Sequence, residues 1–334
     1  MCMRRRYPLL LLLMLGCCIS SVSGHTPLEP DGEGESITKA IEIPDPTKSW
    51  TLYREIHEKG EAEYFKLYLY PGERLYVSVF TPNREGSDFT PSLALIGAGF
   101  TNTSEIPENL KIPEDYGVII FKGVRPDNPE YEPFTPASYY YTARGDVTIE
   151  EEDYYYFAVH DEQTGRYGIA VGYREVFEFL DIVLLPFNLV NIHIWEYQSV
   201  FLILLPLLLV LFLGGSMIYL RTKTGATIIQ ATGALAGLLY AGTGFMTLYQ
   251  LFLAFTAAPS TAALITLGVA LLQLIPGYYL IKKSLTGYGP EYRNDRILYV
   301  LIGLLGLVAW AGFIIGPFLS MLVGLIGRRD FRDL

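Results

Sequence analysis

Beyond residue 24 the 334-residue chain has no cysteine; Cys2, Cys17 and Cys18 are all it contains. The remainder therefore has neither a disulfide framework nor a thiolate for catalysis or zinc binding. Its four histidines (His25, His57, His160 and His193) make no pair at helical spacing, and HExxH is missing. There is no G-x-S-x-G elbow, no phosphate-cradling glycine loop and no dinucleotide fingerprint. No cofactor is expected. Charge is missing too, from four long apolar runs in the second half. Ion pumps and proton relays use intramembrane ionisable groups, so their absence argues against active ion transport.

At the N-terminus, "MCMRRRYPLLLLLMLGCCISSVSG" places three arginines before a short apolar run and then small residues. That order reads as an export signal over residues 1–24. A second reading attaches lipid to Cys17. Residues 25–197 carry 31 acids and 13 bases, whereas residues 198–334 carry 4 acids and 9 bases. The acidic first part disfavours nucleic acid and anionic lipid as partners.

The apolar runs fall at residues 197–220, 226–255, 261–281 and 297–327, each long enough to cross a bilayer. They predict a bundle of four transmembrane helices in a multi-pass protein of the cell membrane. Export of the head makes residues 25–196 extracytoplasmic and leaves Arg221, Lys223, Lys282, Lys283, Arg293 and Arg296 inside. A single helix over 297–327 puts the charged tail, residues 328–334, outside with Arg328, Arg329 and Arg332. A break at Gly316-Pro317 would instead return the tail inside. Residues 177–196 are apolar but interrupted by Asp181, Pro186, Asn188 and Asn191. They read as an interfacial linker, with Trp195 at headgroup level.

Between an acidic flexible segment (25–36) and the linker, the pattern has period two. "EYFKLYLY" alternates Phe65, Leu67 and Leu69 with polar or tyrosyl neighbours, and "RLYVSVF" follows after Pro71-Gly72-Glu73. Roughly nine such strands over residues 37–176 predict an extracytoplasmic antiparallel β-sandwich, jelly-roll-like.

"EAEYFKLYLYPGERLYVSVF", "PSLALIG" and "DYYYFAVHDEQTGRYGIAVGY" together resemble the bacterial pre-peptidase C-terminal domain family over about 115 residues. Tyr64, Gly72, Tyr154 to Tyr156, Gly165 and Tyr167 stand at that family's motif positions. The resemblance implies a β-sandwich accessory module for binding or folding, without catalysis. Some members bind calcium at acidic turns, which makes Glu150, Glu151, Glu152 and Asp153 metal candidates, although their spacing matches no ligand set.

Tyr154, Tyr156 and Tyr167 are candidates for an aromatic ligand platform, although tyrosine is also ordinary sheet core. Asn102 begins a glycosylation sequon. Gly233 with Gly237, and Gly312 with Gly316, allow close helix approach, within the bundle or between copies. Gln230, Gln250 and Gln273 would seek interhelical hydrogen bonds.

The residues and the resemblance together suggest a non-enzymatic envelope protein. It would bind a protein, glycan or wall component and also contact membrane lipid, another membrane protein or its own copies. Alternatives are a subunit of a conductor or transporter for a neutral solute, and an extracytoplasmic hydrolase with an unrecognised acid site.

Overall fold

The computed structural model describes residues 25–29, 31–84, 86–101, 105–222, 227–286 and 293–326, apart from the side chains at 179, 221, 222 and 286. The leader with Cys17, the Asn102 sequon and the tail from residue 327 lie outside the described residues.

The N-terminal half folds as two facing sheets. One, sheet A, has the order β1-β3-β11-β5-β9-β8, and the other, sheet B, β2-β4-β10-β6-β7. The strands are β1 (Thr26–Pro27), β2 (Ile41–Glu42), β3 (Trp50–Ile56), β4 (Ala62–Leu69), β5 (Arg74–Pro82), β6 (Ser92–Gly97), β7 (Gly117–Phe121), β8 (Glu130–Glu132), β9 (Ala137–Thr148), β10 (Asp153–His160) and β11 (Gly165–Val171). The central order β3-β11-β5-β9 facing β4-β10-β6-β7 is that of two Greek keys wound together. The expectation of a purely antiparallel sandwich is corrected at two edges. β1 runs parallel to β3, and β2 parallel to β4.

Described parts of the acidic segment expected to be flexible take part in this edge pairing. Thr26 and Leu28 donate to Ser49 and Thr51 carbonyls, and the Gly34 carbonyl accepts from Tyr64 N–H at 2.7 Å.

Alternation accounts for the core. Phe65, Leu67 and Leu69 of β4 face Tyr155, Phe157 and Val159 of β10 in one apolar cluster with Val77, Val79, Ile169 and Val171 of sheet A. Phe65 and Phe157 are cross-strand partners whose rings stack at 4.7 Å. Full burial of each such side chain stabilises the fold by about 1.5–3 kcal/mol.

With no disulfide, the strongest polar tie between the sheets is ionic. Glu63 of β4, 3% exposed, accepts from Arg54 Nε of β3 at 2.8 Å and from the Tyr167 hydroxyl of β11. Burial, and then the Glu63 charge, push the Tyr167 hydroxyl well above its usual range, so it remains a donor.

The second half contains six α-helices among the described residues, where four were expected. They are α1 (Phe179–Trp195), α2 (Val200–Thr222), α3 (Ile228–Ala257), α4 (Ala263–Thr286), α5 (Arg293–Val308) and α6 (Ile315–Ile326). Three of them, α2, α3 and α4, are long and apolar enough to cross a bilayer.

The linker is itself a helix, α1, tied to the sandwich at both ends. Asp181 pairs with Lys48 at 3.4 Å, and the Trp195 indole donates to the Arg54 carbonyl at 3.1 Å. Trp195 therefore packs on sheet A, against Tyr53, Phe80 and Tyr139.

The apolar run 297–327 is not one helix. It breaks at Trp310–Ile314, where Trp310, Gly312, Phe313 and Ile314 all have positive φ. Pro317, placed in sequence terms at the break, instead lies in the first turn of α6, where its missing N–H costs little. Neighbouring helices satisfy the freed backbone groups. Gln273 Nε2 donates to the Ala309 carbonyl at 2.8 Å, and Gly312 N–H donates to Thr243 Oγ1 at 3.0 Å. Non-helical backbone inside an apolar bundle requires such partners.

α5 and α6 pack antiparallel as a hairpin, with Arg296 Nε donating to the Gly324 carbonyl. At about 24 Å and 18 Å, both arms are shorter than a hydrocarbon core of about 30 Å. The hairpin thus ends where it began, beside the Lys283–Asp295 ion pair.

Two outcomes test this architecture. Glu63→Ala, which strands Arg54 in the sandwich, should cost about 3–5 kcal/mol in thermal melts, and Glu63→Gln clearly less. Single cysteines at Ser260 (the α3–α4 turn) and Asn294 (the start of α5) should react with an impermeant maleimide from opposite sides of the membrane. Labelling from one side would refute the three-span layout.

Candidate functional site

The tyrosine-rich β10 divides as its pleat dictates. Tyr155 points inward, and its hydroxyl donates to the Glu151 carbonyl. Tyr154 is 45% exposed. Tyr156 is half-buried beside Tyr116, with ring centroids 6.0 Å apart. Tyr167 is 0% exposed, so it cannot form part of a surface platform.

Two residues not singled out from the sequence join Tyr154 instead. Tyr68, its cross-strand partner, and Tyr70 are 36% and 53% exposed. Tyr68 meets Tyr154 at 5.0 Å and 70°, and Tyr70 at 5.3 Å and 83°. The Tyr68 hydroxyl donates to Glu152 at 2.7 Å, and that hydrogen bond is the main reason its pKa rises to about 12. The cluster lies on sheet B, whereas α1 and Trp195 are seated on sheet A.

The acid run forms no cation cage. Glu150, Glu151 and Glu152 are exposed, with Glu152 bound to Tyr68, and Asp153 accepts from the Tyr154 N–H. Among the described residues, no group of three or more His, Cys, Asp or Glu could hold a metal ion.

The four selected glycines make contacts within the chain. A methyl at Gly233 would meet Ser284 and Tyr299, and one at Gly237 would meet the Gly277 carbonyl and Ile281. Gly312 and Gly316 lie against Leu239 and Tyr240.

A second candidate lies where the sandwich meets the helices. α1 ends in a Schellman motif, with Gln198 N–H donating to the His193 carbonyl and Tyr197 N–H to that of Ile194. The left-handed position is Tyr197 at φ 67°, where glycine is usual. Arg84 and Arg166 stack over its ring at 4.5 and 4.2 Å, and Arg166 also caps the Ile194 and Trp195 carbonyls.

This turn brings His193, Glu196 and Gln198 together. Glu196 accepts from the Tyr139 hydroxyl at 2.6 Å and Gln198 at 3.1 Å, and it pairs with His193 Nδ1 at 2.8 Å. Gln198 and Gln250 exchange two amide hydrogen bonds, at 3.0 and 2.9 Å, tying the turn to α3.

Beneath this network is a small cavity of about 50 Å³, open in part to the outside. α1 contributes Pro186, Leu189, Val190 and His193, α3 contributes Thr243, Met246, Thr247 and Gln250, and α4 contributes Thr266, Val269 and Gln273. The β8–β9 turn closes one side with Pro133, Phe134 and Pro136, and the α5–α6 break another with Trp310 and Phe313. The turn is pinned to α4, since Thr266 Oγ1 donates to the Pro133 carbonyl at 2.7 Å and bonds the Tyr131 hydroxyl at 2.8 Å.

Glu132 begins that turn. Burial pushes its pKa up to about 7, opposed by the Phe134 N–H and reinforced by the nearby Glu175 charge.

Of this network, sequence reading singled out Gln250 and Gln273 as polar groups seeking interhelical partners. Gln230, the third, closes a capping box with Thr227 at the start of α3. Tyr139, Glu132 and Glu196 were missed, because residues far apart in the chain meet only in the fold. The one local signal is Glu196, the last acid before the first apolar run. No known protein-family model matches the chain, and no curated protein matches it in sequence.

Glu132 gives a pH-dependent prediction. Below its ordinary value of 4.5 the carboxyl is protonated in both folded and unfolded chains and costs nothing. Between pH 4.5 and about 7 the unfolded chain ionises first, so stability falls as pH rises, by at most about 3 kcal/mol. Glu132→Gln should therefore melt like the parent at pH 4 and at a higher temperature at pH 8. Equal melting at pH 8 would show that Glu132 carries no such burden.

Proposed function

We propose that the chain is a non-enzymatic integral membrane protein of the cell envelope. It holds a β-sandwich outside the membrane, in the manner of the pre-peptidase C-terminal modules it resembles, and binds a protein partner through Tyr68, Tyr70 and Tyr154. The observation that carries this reading is the exposed, mutually braced tyrosine cluster on the sheet turned away from the helices. Rings set edge to face form clefts rather than a flat strip, which suits protein side chains better than stacked sugar rings. Tyrosine is also prominent among residues that dominate protein interfaces. Glu150, Glu151 and Glu152 flank the cluster, so the matching surface would be basic.

The outside placement is supported by charge. Arg221 at the end of α2, Lys282 and Lys283 at the end of α4, and Arg293 and Arg296 at the start of α5 all lie at the helix ends remote from the sandwich. Cationic residues gather on the cytoplasmic side. The α5–α6 hairpin also ends there.

Cross-linking in native membranes, followed by purification of the full chain, tests the binding reading. A partner recovered with the parent should be lost with Tyr70→Ala/Tyr154→Ala, and its recovery should fall as salt rises. Undiminished recovery with the double variant would overturn the assignment.

A further inference from the structure

We propose that the cavity between the sandwich and the helices binds a single-chain neutral lipid bearing a hydroxyl head, of the fatty-alcohol or monoacylglycerol class.

The walls define the class. Apart from His193, no lining residue is titratable, so a charged head would lose its hydration without a countercharge. Leu189, Val190, Ile203, Met246 and Val269 offer apolar contact for a chain. The mainly apolar lining with a few polar groups is that of small-molecule sites.

Most of the polar side chains already satisfy one another, and His193 is an exception. Gln250 pairs with Gln198, and Gln273 with Thr247 and the Ala309 carbonyl. Thr243 and Thr266 bond to backbone carbonyls. His193, 4% exposed, uses Nδ1 on Glu196, and its Nε2 has no partner among the described residues.

Glu196 also takes bonds from Tyr139 and Gln198, and a neutral His193 that donates to it carries its proton on Nδ1. Nε2 is then a lone-pair acceptor on a buried cavity wall, and a ligand hydroxyl is the donor it lacks.

The bilayer itself would supply such a ligand. Leu180, Leu184 and Phe187 form an exposed apolar stripe on α1, the helix that carries His193. Phe187 meets Phe313 at the helix break, 5.6 Å between centroids, where the cavity wall begins.

The test uses the full chain in phosphatidylcholine nanodiscs, with ω-bromododecanol as probe and bromododecane as its hydroxyl-free comparator. Bromine quenches indole on contact, and Trp310 is the one cavity-lining tryptophan of the three in the chain. Quenching by the alcohol should saturate, at a concentration at least about tenfold below that for the bromoalkane.

Trp310→Phe should remove the saturable component. Val269→Phe, which fills the cavity, should abolish it, and His193→Leu should bring the two probes to equal affinity. Equal, non-saturating quenching by both probes would mean partitioning into lipid only and would overturn the assignment. Retention of the alcohol preference in His193→Leu would also overturn it. Should His193→Leu fail to fold, Val269→Phe decides alone, and saturable quenching that survives it refutes the site. The tyrosine cluster is on the opposite sheet, so neither result bears on the partner reading.

Discussion

The seating of Trp195 on sheet A is the contact on which the arrangement of the two halves depends. A helix of mostly apolar residues, interrupted by Pro186 and Asn188, would not hold one position on a membrane surface by itself. Its last turn is held by the Tyr53, Phe80 and Tyr139 rings, by the indole bond to the Arg54 carbonyl, and by Arg166 on the terminal carbonyls. Aromatic contact and charge-assisted hydrogen bonds each act over a few ångströms, and together they leave α1 little freedom to roll. The strained Tyr197 turn then directs the chain into α2. His193 and Glu196 thereby meet Tyr139 of the sandwich and Gln250 of α3.

The sandwich supports this seat without disulfides. Its two sheets share one apolar core, and Arg54, which accepts the Trp195 indole on its carbonyl, carries on its side chain the ion pair to Glu63. Inter-sheet cohesion and docking of the helical half therefore pass through one residue of β3. Beneath the junction the polar residues of α3 and α4 have a comparable double use. Thr243 and Gln273 bond the backbone of the broken helix while lining the cavity beside it.

Strand positions in β3, β4, β5 and β10 were legible because period-two alternation is a local property of the backbone. Three of the four apolar runs were legible as helices because length and hydropathy suffice. The fourth misled for a definite reason. Apolar composition does not report φ, and the break depends on Thr243 and Gln273, 36 to 69 residues away, being there to satisfy it. The binding candidates show the same limit. Tyr154 could be named from β10, but Tyr68 and Tyr70 joined it only through the β4–β10 register. Tyr167 left the platform because its alternate face is the core.

By itself the sequence determined the division into an acidic, strand-forming half and a helical half built on uncharged apolar runs, because composition and short-range periodicity act within a few residues of each position. Tertiary structure alone decided which tyrosines face outward, where the last apolar run turns back, and that His193, Glu196, Tyr139 and Gln250 converge over a cavity. Each of those outcomes depends on groups that are distant in the chain and interact only at hydrogen-bond or van der Waals range, so no local pattern encodes them.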